Sequence, residues 1–265
     1  MAAFDRIVFI GCGVMGEALL TGVQSHLGDR AELVIVEPNV ERATFLADAY
    51  RVRVESLDAA VREQATFIIS VKPQQVPTLL EELIGRIPPG SIVISIAAGV
   101  HERQFIDAFP GTDVIRVMPN TPAKIGHGVT GIAGESASAP ARRWAGELFS
   151  SVGHVVTIPE SSMDALTAVS GSGPAYVFLL AEAMIDGAQA LGLSADEAHQ
   201  LVVGTIVGAG ALLTATGEDP AELRRQVTSP GGTTQAAIER MQADGMPEAV
   251  VAGMRAARDR SVELS

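Results

Sequence analysis

Apolar residues dominate short runs through the first half of the chain, at Ile7–Ile10, Leu33–Val36, Phe67–Ile69, Ile92–Ile96 and Val114–Met118, the last two interrupted by Ser95 and Arg116 alone. Runs of this length, rich in Val and Ile and without alternation, predict strands covered on both faces, as in a parallel sheet. Between them, apolar positions recur at helical spacing and predict helices over 17–25, 40–50, 57–64, 76–84 and 101–108. A short strand at 51–54 and further strands at 128–133 and 153–158 complete the set, with a helix over 139–151 in which Trp144 and Phe149 pack. The alternation predicts an α/β fold, a Rossmann-type doubly wound parallel sheet whose ligands bind outside the strand carboxyl ends.

After Pro159 the strand pattern stops. Ser161-Ser162-Met163-Asp164 has the form of a capping box. Gly171, Gly173 and Pro174 break or kink the helix that follows, and Pro174 suits the first turn of the next, which runs to about Leu191. Ser194 caps a long helix whose stretch Leu201–Leu213 is apolar nearly all round. Such a helix must be buried, and a domain this small implies packing against a second subunit. A short helix starts at Asp219-Pro220, and an amphipathic one from about Met246 turns Arg255, Arg258 and Arg260 outward. The expected division is a sheet domain, 1–159, and an all-helical domain, 160–265.

Composition narrows the class. The 265 residues are 47% hydrophobic but only 4% aromatic, with 27 glycines, so the core is aliphatic and closely packed. No apolar run reaches bilayer-spanning length, and no signal segment precedes the first strand. The single Cys12 excludes an internal disulfide and fits a reducing cytoplasm, with a spacer role expected for the thiol. A formal charge of −12 argues against nucleic acid as a partner.

Candidate chemistry lies at strand ends and at one late turn. Gly11-Cys12-Gly13-Val14-Met15-Gly16 is G-x-G-x-x-G between a strand and a helix, the context in which it specifies a dinucleotide. Gly11 makes the turn, Gly13 admits the pyrophosphate and Gly16 lets helix and strand close. Glu37 ends the second strand, where a carboxylate bonds the adenosine ribose hydroxyls and repels a 2′-phosphate; Arg42 stands close enough to complicate that. Lys72, Ala97 and Asn120 fall at strand carboxyl ends, and Ala97-Ala98-Gly99 is small enough for a flat ring to lie on. Thr228-Ser229-Pro230-Gly231-Gly232-Thr233-Thr234 precedes a helix that Thr233 or Thr234 can cap. Hydroxyls and free N–H groups there form an anion cradle, or else an ordinary capped turn.

These segments, with Val71-Lys72-Pro73, Met118-Pro119-Asn120-Thr121-Pro122 and Ser170-Gly171-Ser172-Gly173-Pro174-Ala175-Tyr176, resemble pyrroline-5-carboxylate reductase in family order over essentially the whole chain. The resemblance implies reduction of L-1-pyrroline-5-carboxylate to L-proline by NADPH or NADH, without a metal. It implies a homodimer that assembles further, through a helical dimerisation domain. Ser229, Gly231, Gly232 and Thr233 would hold the substrate carboxylate. Thr234 would face the ring nitrogen as the catalytic hydroxyl. The cofactor would lie on Gly11, Gly13, Val14, Met15, Gly16, Glu37, Ser56, Val71, Lys72, Pro73, Ala97, Ala98, Gly99 and Asn120. Glu37 departs from the small polar residues the family often places there, and leans the cofactor towards NADH. The cradle would face the nicotinamide across a subunit interface. Two other readings stand beside this one. A β-hydroxyacid dehydrogenase would need a lysine in the helix 175–191, which has none. A non-catalytic dinucleotide sensor would leave the cradle as a turn.

Overall fold

The computed structural model describes residues 5–264. The first half runs β1 (Arg6–Ile10), α1 (Val14–Leu27), β2 (Glu32–Val36), α2 (Val40–Tyr50), β3 (Arg53–Val54), α3 (Leu57–Ala60) and β4 (Thr66–Ile69). It continues α4 (Val76–Leu83), β5 (Ile92–Ser95), α5 (Glu102–Ala108), β6 (Asp113–Met118), β7 (Gly128–Ala133), α6 (Ala139–Ser150) and β8 (Gly153–Thr157). Helices follow: α7 (Met163–Leu166), α8 (Gly173–Ala190), α9 (Ala195–Thr216), α10 (Pro220–Gln226), α11 (Thr233–Ala243) and α12 (Met246–Glu263). Two compact units result. One takes the described residues through Ser172 and those from Ala257 onward; the other is Gly173–Ala256.

In the first unit the strands form one sheet in the order β3-β2-β1-β4-β5-β6-β7-β8. All pairs are parallel except β6 with β7. That exception has a plain cause. The link from β6 to β7 is a 3₁₀ turn, Thr121–Ile125, too short for the crossover that parallel strands need. β1 is buried at every position, as its unbroken apolar run predicts. On one face Leu19, Leu20 and Val23 of α1 and Leu148 and Phe149 of α6 cover the sheet. On the other, Leu79, Leu83 and Phe105 from α4 and α5 do so. Each such side chain contributes about 1.5–3 kcal/mol on burial. Trp144 is half-buried, and its Nε1 donates to Thr66 Oγ1 at 2.9 Å.

The capping box expected at Ser161–Asp164 does not form. Residues Glu160–Ser162 make a 3₁₀ turn, Ser162 caps α7 without a side-chain bond, and Asp164 Oδ1 instead accepts Ser261 Oγ at 2.7 Å. The expected irregularity is present, since Ser172 interrupts the helix just after Gly171. A π-helical turn, Thr167–Gly171, absorbs the irregularity, with the Ser172 N–H reaching Thr167 O at 2.8 Å.

In the second unit α8 packs on α9. Ser194 caps α9 with Glu197 in a reciprocal capping box. Only Ala198 and Val202 of α9 are buried within the chain, whereas Leu201 and Val207 are 57% and 65% exposed. The partner that the all-round apolar pattern demands therefore lies outside the single chain. Contrary to the sequence expectation, the stretches Glu160–Ala190 and Ala195–Thr216 are long and apolar enough to cross a membrane by length and composition alone. Gly, Ser and Thr carried within these helices hide that from a search for unbroken apolar runs.

Candidate dinucleotide cleft and anion cradle

The glycine-rich turn lies between β1 and α1, beside the point where strand order reverses from β1 to β4. Doubly wound sheets take ligands at this point. Gly11 has φ +77°, and a Cβ there would meet Val71 Cγ1 at 2.7 Å and Val71 N at 3.0 Å. Glycine is thus required at Gly11 by conformation and by contact. A Cβ on Gly16 would sit 2.9 Å from Ser70 Oγ, so helix and β4 end close together there. The Ser70 hydroxyl donates to the Gly11 carbonyl and ties the two strand ends.

Gly13 differs from both. A Cβ there would have nothing within 4 Å, and Gly13 is the N-cap of α1 with no side-chain cap bond. The first N–H groups of a helix have no partner inside it. The end of α1 is therefore an open, uncapped donor cluster at the positive end of a helix dipole, with the shape and polarity a pyrophosphate takes. Val14 beside it is 59% exposed. Met15 is half-buried against the core.

A cleft of about 560 Å³ opens beside this turn, lined by residues that include Gly11, Glu37, Ser56, Val71, Gln75 and Glu82. Among the described residues no Lys, Arg or His lines it. Glu37 Oε2 accepts the Cys12 N–H at 3.0 Å and Oε1 accepts the Asn39 N–H at 3.1 Å. The carboxylate is thereby fixed on the glycine turn, with acceptor capacity left on both oxygens. Burial pushes the Cys12 thiol up to about 12; Arg42 opposes this, and Glu37 and Glu17 add to it. Buried and held protonated, the thiol is a poor nucleophile. Ser56 caps α3 through its hydroxyl, which accepts the Ala59 N–H at 3.3 Å. Lys72 is exposed and its N–H donates to Gln75 Oε1 at 3.2 Å, just ahead of the turn that Pro73 starts.

Ala97 and Gly99 are buried past the end of β5, with Ala98 half-buried between them. Gly99 has φ +75° and lies against Leu264, whose backbone O is 3.2 Å from where a Cβ would be. The small residue there admits the chain's own C-terminal turn. Asn120 is buried and its amide is committed on both sides. Oδ1 accepts the Val129 N–H at 2.8 Å, and Nδ2 donates to Ser170 O at 3.0 Å. What Asn120 offers a ligand is its backbone neighbourhood.

The cradle lies in the second unit, between α10 and α11. Gly231 has φ +71°, its N–H donates to Gln235 Oε1 at 2.7 Å, and the Gly232 N–H closes on Ser229 O at 3.0 Å. The expected threonine cap is absent. Gly232 is the N-cap and no side chain caps the helix, because the turn closes one residue earlier than the hydroxyl pattern suggests. Thr233 and Thr234 therefore stand in the first turn. Among the described residues no side chain or backbone group engages the hydroxyls of Ser229, Thr233 or Thr234. Thr228 is spent on the Arg224 carbonyl at 2.6 Å. The result is an uncapped helix end carrying three free hydroxyls.

A mostly parallel sheet with an uncapped glycine turn at its switch point, followed by a helical unit with a second uncapped helix end, is the plan of a nicotinamide-dependent oxidoreductase. Residues 160–264 match the family model described as pyrroline-5-carboxylate reductase dimerisation, and residues 6–99 match one described as NADP oxidoreductase coenzyme F420-dependent. The chain is 40% identical to the pyrroline-5-carboxylate reductase of Pseudomonas aeruginosa, with 98% of this chain and 97% of the relative covered. It is 41% identical to that of Synechocystis sp., covering 98% of each. Among solved structures, a pyrroline-5-carboxylate reductase from Coxiella burnetii aligns with a TM-score of 0.88 at 30% identity, covering 99% of each chain. The enzyme of Plasmodium falciparum with NADP bound aligns at 0.87 and 25% identity, covering 100% of this chain and 99% of that one. The chain belongs to the pyrroline-5-carboxylate reductase family.

Proposed function

We propose that this chain reduces L-1-pyrroline-5-carboxylate to L-proline, the last step of proline biosynthesis. The uncapped start of α11 with the free hydroxyls of Ser229, Thr233 and Thr234 carries the reading. A small carboxylate fits that end, with the N–H groups and the helix dipole as its counter-charge. Ser229, Gly231, Gly232 and Thr233 hold the carboxylate. The Thr234 hydroxyl faces the ring nitrogen and moves a proton there.

A cyclic imine is basic enough to carry its own proton part of the time, and its carbon is then electrophilic without a strong acid from the protein. A reduced nicotinamide, when bound, supplies the hydride that this carbon accepts. The chain's task is positioning, which means holding the reacting atoms about 3–3.5 Å apart and excluding water. Gly11, Gly13, Val14, Met15 and Gly16 receive the dinucleotide, and Glu37 and Ser56 the adenosine end. Val71, Lys72, Pro73, Ala97, Ala98, Gly99 and Asn120 carry the remainder. Glu37 favours NADH by accepting the ribose hydroxyls and opposing a 2′-phosphate, with NADPH accepted more weakly. Residues 1–159 act as the dinucleotide domain and 160–265 as the dimerisation and substrate domain, in a homodimer that assembles further in the cytoplasm.

Steady-state oxidation of NADH and NADPH with pyrroline-5-carboxylate tests the activity. Imine-dependent oxidation is expected with both, at lower KM for NADH; none at millimolar imine overturns the reading. Val207→Glu tests the assembly through the exposed face of α9. Light scattering should show a smaller species than the wild type, and an unchanged mass would remove that face from the interface.

A further inference from the structure

The one guanidinium on the first turn of α2, Arg42, is absent from the cleft lining although it begins five residues after Glu37. Its Nε donates to the Cys12 carbonyl at 3.1 Å and a terminal nitrogen donates to Glu17 Oε2 at 2.5 Å. The guanidinium lies 5.5 Å over the Phe45 ring. Glu17 is held in turn, because its Oε1 accepts the Tyr50 hydroxyl at 2.6 Å. Glu37 and Arg42 thus grip one residue, Cys12, from its N–H and its C=O, and the cation is turned towards α1 while the anion faces the cleft.

We propose that Glu17 and Tyr50 are positioning residues for cofactor choice, which hold Arg42 on α1 so that a 2′-phosphate meets Glu37 with no cation to offset it. This rests on the reading of Glu37 given above. The electrostatics agree with the geometry. Partial burial raises the Glu17 carboxyl, but hydrogen bonds from Tyr50 and Arg42, and the charges of Arg42 and Lys124, outweigh it and hold the group below its ordinary range. The Glu17 hydrogen bond is also the main reason that Arg42 is raised. A charge-assisted bond of this kind is stronger than a neutral one, so Arg42 stays put while Glu17 is ionised. Removing Glu37 alone would then remove repulsion without supplying attraction. Releasing Arg42 as well would supply it.

Direct titration of NADH and NADPH, followed by nucleotide fluorescence without imine, tests this apart from catalysis. Glu37→Ser is expected to shift the NADH-to-NADPH affinity ratio about tenfold towards NADPH. Adding Glu17→Gln should tighten NADPH about a further fivefold and leave NADH unchanged, and adding Arg42→Ala should abolish that second gain. Glu37→Ser with Tyr50→Phe should move the same way by less, and it keeps the charges in place should the Gln variant fold poorly. If Glu37→Ser leaves the ratio unchanged, the reading of Glu37 fails. If it shifts the ratio but neither Glu17→Gln nor Tyr50→Phe adds to it, or the added gain survives Arg42→Ala, this inference alone fails.

Discussion

α1 and α11 start on the same local device. Each has a glycine as N-cap, Gly13 and Gly232, without a side-chain cap, and each is preceded by a glycine at positive φ, Gly11 at +77° and Gly231 at +71°. Their surroundings differ. Around α1 the sheet supplies the support: Val71 sits on Gly11, Ser70 ties the strand ends, and Glu37 and Arg42 hold Cys12. Around α11 a Cβ on Gly231 would meet nothing within 4 Å, and hydroxyls stand where neighbours would. The first end is shaped by packing against a rigid turn, and the second is dressed with free hydroxyls. The helix end supplies the same partial positive charge at both, and the neighbourhood makes the difference between them.

The largest expected break in this comparison is at the second end. Thr234→Ala removes the hydroxyl assigned to the ring nitrogen and should lower kcat about 100-fold, the low end for a positioned proton-transfer group. The KM for NADH should stay within about twofold, since the cofactor is assigned to the other end. Unchanged turnover would take Thr234 out of the chemistry. Next comes Gly13→Ala. The added methyl meets no protein atom, so Tm should hold. NADH affinity should fall about tenfold or more, because the methyl enters the space assigned to the pyrophosphate. An unaltered dissociation constant in titration calorimetry would show that the cofactor lies elsewhere.

Much of the first end is legible in the sequence, because its signals are local. G-x-G-x-x-G after an apolar run and before helical spacing can be read from residues that are neighbours in the chain. The roles of Gly11 and Gly16 follow from that pattern, and their contacts with Val71 and Ser70 agree. The brace from Glu17 to Arg42 and Tyr50 is not legible, since it joins two helices through residues 25 and 33 positions apart. Nor is the antiparallel β7, which depends on the length of one turn rather than on any strand's composition. At the second end Ser229-Pro230-Gly231-Gly232-Thr233-Thr234 points to an anion site, but the hydroxyl pattern suggests a threonine cap where Gly232 stands. The residues lining the cleft on α4, such as Glu82, carry no motif and are brought in only by the winding of the sheet.

The two glycines at positive φ sharpen the comparison in a quantity that needs no ligand. Gly231→Ala should cost only the backbone strain of the left-handed region, about 1–2 kcal/mol. Gly11→Ala carries the same strain and also drives a methyl to 2.7 Å from Val71 Cγ1 and 3.0 Å from Val71 N. Chemical denaturation should therefore show Gly11→Ala as the more destabilising by about 1 kcal/mol or more. Equal costs would mean that the sheet does not brace the first turn as its contacts imply.

The smallest effect concerns the charged part of that brace. The Glu17 carboxyl is held below its ordinary range in the folded chain: partial burial raises it, but bonds from Tyr50 and Arg42 prevail. A depressed carboxyl contributes stability that is fully present above its unfolded value, about 4.3, and is lost as pH falls through the folded one. Both partners are partly exposed, at 25% and 29% of the side chain, so the contribution is that of a surface ion pair, about 0–1 kcal/mol. Glu17→Gln should therefore lower Tm by about 1–2 °C at pH 7. The gap to the wild type should close as pH drops below about 4, because the wild-type carboxylate then takes up a proton and loses the negative charge that the variant already lacks. A gap that stays constant from pH 7 to pH 3 would assign the loss to packing rather than to charge. The ionic brace would then be dispensable to the first helix end, as among the described residues no ion pair holds the turn before the second.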